Sequence, residues 1–170
     1  RDRSAARIDH PNPEPPHQQI RNHDPVLNTM TLADAETAFG VLVDEHHDRD
    51  LDIPVLTGLQ FQGDVAVVPT TGWLPATSEP KPVPAEGIAV VRGENGGHTH
   101  LLLASGPCTW APSTAAGTDP SDLDLGVLTV PQGASAFLAH PEHAYSGIGA
   151  GSYVIRRQRE QADVTRFVAD

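Results

Sequence analysis

Four histidines in two short groups are the side chains of this sequence best suited to chemistry. The first group, Gly97-His98-Thr99-His100, follows a glycine-rich turn and opens the apolar run Leu101 to Leu103. Side chains alternate between the faces of a strand, so His98 and His100, at i and i+2, share one face. Two imidazoles on one face can converge on an ion at about 2.0 to 2.1 Å, whereas adjacent positions would diverge. The second group, His140-Pro141-Glu142-His143, closes another apolar run. Proline holds its predecessor in extended backbone, so His140 and His143 need not lie on one surface, and which of them reaches the first group stays open. Glu142 has three open roles: a ligand, a partner that orients an imidazole, or the catalytic group that moves a proton. The competing reading needs no ion, because the histidines and Glu142 can cross-link strand ends as a hydrogen-bond network.

Other candidates carry less. Tyr153, Ile155, Arg157 and Arg159 share one strand face, and Val154, Arg156 and Gln158 the other. Arg157 and Arg159 are therefore the candidate substrate-binding residues, able to meet an anion at the mouth of a barrel. The plainer role for them is as solvated charges that protect a sheet edge. Cys108 follows a Pro-Gly break and would need a neighbouring base to act as a nucleophile. The glycines of 93 to 97 lack the Lys-Ser/Thr of a phosphate loop and open a strand instead of a helix. His46 and His47 sit in the charged run Asp44 to Asp52, which reads as a solvated connection.

Positioning such a site requires strands, and the pattern supplies them. Short segments rich in Val, Ile, Leu and Phe recur at 53–61, 64–68, 87–92, 98–104, 124–130, 134–140 and 151–158, with a last one at 163–168. Glycine and proline separate them, and the stretches Pro75 to Pro84 and Pro107 to Pro120 read as loops. One helix is expected over 32–46, where Thr31 and Asp34 resemble a capping box and Leu32, Ala35, Phe39, Leu42 and Val43 fall on one face. Residues 1–29 are rich in proline and lack apolar periodicity, the composition of a disordered tail. The expected architecture is a single all-β domain over residues 30–170, a barrel or sandwich with one N-terminal helix.

Within that frame the motifs resemble those of the cupins. These are small β-barrels whose first motif pairs a glycine with His-x-His and whose second carries Pro-x-Gly followed by a histidine. The matching residues are Gly93, His98 and His100, then Gly126, Pro131, Gly133 and His140. The resemblance spans about residues 87 to 143 and implies a divalent transition metal, zinc, iron, manganese or nickel, held between the motifs. The chain departs from the pattern at Ala104 and Ser105, where cupins usually carry a glutamate, and in a longer gap from Pro-x-Gly to histidine. The Gly-His-Thr-His, His-Pro-Glu-His and Gln158-Arg159-Glu160 segments are also similar to those of short bacterial and phage proteins with no established activity.

Composition narrows the partners. A formal charge of −11 disfavours duplex nucleic acid, which binds through Lys and Arg, and between residues 50 and 155 the cations are Lys81 and Arg92. Aromatics make up 5% of the 170 residues, too few for a large stacking platform. No run reaches the ~18 to 20 apolar residues of a membrane helix, and a lone cysteine forms no internal disulfide, which points to a soluble, cytoplasmic protein. Two function classes follow: a metal-dependent protein acting on or binding a small molecule, and a noncatalytic binding or assembly module. Homo-oligomerisation is compatible with both.

Overall fold

A computed structural model of the chain describes residues 29–70, 72–93, 98–115 and 123–158. The expected tail, apart from residue 29, the expected strand at 163–168 and Arg159 all lie outside the described residues.

The helix begins where its cap does. The Thr31 hydroxyl accepts the Asp34 N–H at 3.1 Å, and the Asp34 carboxylate accepts the Thr31 N–H, so two otherwise orphaned donors are satisfied reciprocally. Helix α1 (Leu32–Phe39) is shorter than the expected 32–46. Gly40 stops it by adopting the left-handed conformation (φ 75°), with its N–H on the Glu36 carbonyl at 2.8 Å. Beyond that stop, Leu42 leaves the apolar face and is 71% exposed. The Glu36 carboxylate then accepts the Val43 N–H and the Arg49 Nε–H, folding residues 41–52 back over the helix end.

Among the described residues the remaining regular structure is strands, in two sheets. One sheet has five strands in the order β1 (Val55–Leu56), β10 (Ala144–Ile148), β9 (Ser135–His140), β6 (His100–Ser105) and β5 (Ile88–Val91). The other has six in the order β2 (Gln60–Gln62), β3 (Val65–Pro69), β11 (Gly151–Arg157), β8 (Asp124–Val130), β7 (Thr109–Pro112) and β4 (Lys81–Pro82). All pairings are antiparallel except β1 with β10. The molecule is thus an all-β sandwich with one helix.

Several local expectations change. The segment expected as one strand at 53–61 divides into β1 and β2 around Thr57 to Leu59, and its halves join different sheets. The two proline-bounded stretches read as loops contribute β4 and β7, which pair with each other at the edge of the six-stranded sheet, where proline's missing N–H is tolerated. Strand β10, whose Ser and Gly hide it from a search for branched residues, follows the second histidine group directly.

The core has two layers. Between the sheets lie Val65, Val67, Leu102, Trp110, Leu128, Leu138, Tyr153 and Ile155. On the outer face of the five-stranded sheet, Leu103, Phe137, Ala139 and Tyr145 pack beneath Leu32 and Ala35 of α1. Strand β9 is consequently buried on both faces, Ala136 and Leu138 pointing inward and Phe137 and Ala139 toward the helix. Among the described residues no helix is long and apolar enough to cross a membrane.

Candidate functional site

The inward series of two neighbouring strands ends on histidine at the same end of the sandwich. Along β9 the series runs Ala136, Leu138, His140, and along β6 it runs back from Ala104 through Leu102 to His100. The strands are antiparallel with Leu101 opposite Ala139, which brings His100 and His140 abreast. Their rings stack at 4.3 Å and 28°, and the residues are only 4% and 5% exposed. His143, on the turn after Pro141, stacks on His140 at 4.7 Å and lies 6.0 Å from the His100 ring. One nitrogen from each of His100, His140 and His143 lies within 4.8 Å of the others. A tetrahedral ion with nitrogens at about 2.05 Å needs them roughly 3.4 Å apart, so gathering them takes about an ångström of side-chain movement.

A turn from the other sheet closes the cluster from the opposite side. Strands β2 and β3 are joined by the two-residue turn Gly63-Asp64, whose first position has φ 56°, a conformation for which glycine is suited. Any Cβ at Gly63 would stand 2.7 Å from His143 Nε2 and 3.2 Å from His100 Nε2, so the missing side chain is also what lets this turn approach the rings. The Asp64 carboxylate faces His100 Nδ1 at 3.4 Å, and His100 Nε2 is buried with no hydrogen-bond partner. His140 is differently held: its Nδ1 accepts the Glu142 N–H at 3.2 Å, which in the neutral ring puts the proton on Nε2.

The surroundings fix these parts in place. Gln158, at the exit of β11, donates its backbone N–H to the Asp64 carbonyl and its side-chain amide to the Gly63 carbonyl, clamping the turn. The Gln62 amide crosses from the six-stranded sheet to the Leu138 and Ala144 carbonyls of the other. His47 contacts the Glu142 carbonyl at 3.0 Å, and the Asp44 N–H bonds the Pro141 carbonyl. The charged run expected to be a solvated connection therefore also supports the His-Pro-Glu-His turn.

Electrostatics favour the uncharged form of His100 and His140. Burial, and then the neighbouring His140, push the His100 pKa down, although Asp64 and the Gln62 backbone oppose this. Burial, followed by His143, lowers that of His140. Neutral imidazoles keep a lone pair, the form a metal requires.

An open cavity of about 640 Å³ lies over the cluster. Of the residues singled out in the sequence, His98, His100, His140, Glu142, His143 and Arg157 all line it. His98 stands outside the close trio, at the rim, with its Nε2 3.8 Å from the Glu142 carboxylate. Cys108 is elsewhere, buried between the sheets against the Ser135 carbonyl, and burial raises its pKa, leaving an unreactive thiol. The sequence reading missed Gly63, Asp64 and Arg92 in the cavity wall. The available signal was Gly-Asp between two strand patterns, the mark of a tight hairpin that must come close to something.

Fold and site together define a two-sheet β-sandwich with a histidine cluster in its mouth. The chain belongs to the family described as Domain of unknown function (DUF8820), which it matches over residues 61–158, more than half of its length. That match runs from within β2 to the exit of β11 and so takes in every described residue of the cavity wall, leaving α1 outside. No curated protein and no solved structure matches the chain.

Proposed function

We propose that this domain is a cupin-like protein that binds a divalent transition metal through His100, His140 and His143 and takes a small molecule in the cavity above it. The observation that carries the reading is His100 Nε2, buried and unpartnered, beside two further imidazoles whose nitrogens lie within 4.8 Å. An empty lone pair in a buried site costs about 1 to 3 kcal/mol of desolvation, a cost that a coordinated ion would remove. Asp64, 3.4 Å from the far nitrogen of His100, stands where a metal-ligating histidine usually has a carboxylate partner, which would fix the ring's tautomer and orientation. His140 enters such a site only by giving up its bond to the Glu142 N–H or its Nε2 proton. When bound, a zinc, iron, manganese or nickel ion would supply Lewis acidity toward an oxygen of the ligand. Glu142 and His98 at the rim form an exposed acid–base pair able to exchange a proton with the cavity.

A second reading has its own observation. The His140–Glu142 bond, the His47 contact to the Glu142 carbonyl and the His98–Glu142 pair amount to a cross-linking network that needs no ion. Metal analysis of protein purified without an affinity tag separates the two. The metal reading expects close to one transition-metal ion per chain, lost in His100→Ala and His143→Ala and retained in His46→Ala. Protein without stoichiometric metal, even after resupply, leaves the network reading standing.

A further inference from the structure

The described residues include four arginines, Arg49, Arg92, Arg156 and Arg157. Two have built-in carboxylate partners, Arg49 on Glu36 and Arg156 on Asp124, each at 3.0 Å. The other two, Arg92 and Arg157, have no side-chain hydrogen bond or ion pair among the described residues, and both line the histidine cavity. They arrive there from different sheets, Arg92 just past β5 and Arg157 at the end of β11. In a chain of net charge −11, two guanidinium groups that have no carboxylate partner among the described residues and line one cavity are a specific arrangement. Among the described residues the carboxylates of that cavity are Asp64 and Glu142, and they face His100 and His98 instead.

From this we infer that the cavity takes a small organic acid, with a carboxylate of the ligand held by Arg92 and Arg157 and its other end directed at the histidine cluster. The guanidinium fork matches a carboxylate in geometry and charge, and its bonds to an anion are about twice as strong as neutral ones. A dianionic phosphate matches the fork as well, but it is too short to reach from the arginines to the histidine cluster, whereas a dicarboxylate carries one charge to each end. The volume of about 640 Å³ suits a small molecule. This assignment rests on the proposed metal site only for the ligand's second end, and the two can fail separately.

The experiment uses the full chain without a tag, supplied with Zn²⁺ and assayed for metal content, then titrated calorimetrically with malonate, succinate and glutarate. Their neutral diamides and inorganic phosphate serve as comparison probes. At least one dicarboxylate is expected to bind saturably, with affinity falling about tenfold or more in R92Q and in R157Q while metal content and thermal midpoint stay unchanged. The diamides are expected not to bind. Equal affinity in both variants, equal binding of a diamide, or no binding of any dicarboxylate overturns the inference, and tighter binding of phosphate overturns the carboxylate class. If the parent protein takes up no metal, the metal reading fails alone. Dicarboxylate binding to the metal-free chain that both substitutions abolish would still support the arginine site, and its absence would overturn it.

Discussion

His100 is the residue on which the site turns, because its two nitrogens have been given different work. Nδ1 faces Asp64 and Nε2 is buried without a partner. Replacing Asp64 with Asn keeps the shape of the turn but removes the negative charge that favours a proton on Nδ1. Asp64→Asn is therefore expected to weaken Zn²⁺ affinity about 10- to 100-fold, measured by competition with a chelator, with little change in the metal-free thermal midpoint. The same ring makes the metal-free protein sensitive to acid. The pKa values of His100 and His140 are lowered in the folded state, chiefly by burial, so below about pH 6.5 the unfolded chain takes up protons that the folded chain refuses. Their contribution to stability is then present above about pH 6.5 and lost as pH falls through the depressed folded values. Urea titrations of chelator-treated protein should show unfolding free energy decreasing from pH 7 toward pH 5. In His100→Ala the slope should be shallower, and an identical slope would mean that His100 does not titrate as argued.

At the scale of elements, what could be read from the chain and what could not have different physical causes. Strands β6, β8, β9 and β11 were legible because they are central and carry branched or aromatic residues, whereas the His-x-His spacing gave a shared face for His98 and His100 without saying that His100 points inward. The partners of His100 were not legible, since adjacency of β6 and β9 is a matter of sheet order, and the approach of the Gly63–Asp64 turn is a contact between sheets. The helix end was misread because one glycine in a left-handed cap outweighed an apolar stripe that continued past it. A further feature invisible in the sequence is Ala144, which opens β10 with φ 59°, the single non-glycine residue with positive φ among those described. The left-handed region costs an alanine about 1 to 2 kcal/mol, and it is imposed here directly after His143. Ala144→Gly removes that strain but increases the freedom of the unfolded chain by about 0.4 to 1 kcal/mol. The net expectation is a change between neutral and about 1.6 kcal/mol of stabilisation by chemical denaturation. A loss of more than 1 kcal/mol would show that the alanine methyl, not the backbone, matters at this position.

For the whole molecule, the position of the cluster sets what an ion would do to stability. All three close imidazoles belong to the five-stranded sheet or the turn that joins its strands β9 and β10, while the turn that covers them belongs to the six-stranded sheet and is clamped by Gln158. Unfolding of the sandwich separates these parts and scatters His100 from His143, so an ion held by the trio binds the folded state and not the unfolded one. Mass action then stabilises the fold by about 2.7 kcal/mol when free metal is a hundredfold above its dissociation constant. For a domain of this size that corresponds to an upward shift of roughly 5 to 10 °C in thermal midpoint. Chelation of the parent protein should reverse the shift, and resupply should restore it. His100→Ala should show neither response, because the variant lacks the one side-chain nitrogen that is buried and unsatisfied among the described residues. His98→Ala should respond like the parent, since His98 stands at the rim against Glu142 and outside the close trio. A His98→Ala protein that no longer responds would move the ligand set outward to the His-x-His pair, and an unresponsive parent would remove the ion from the account altogether.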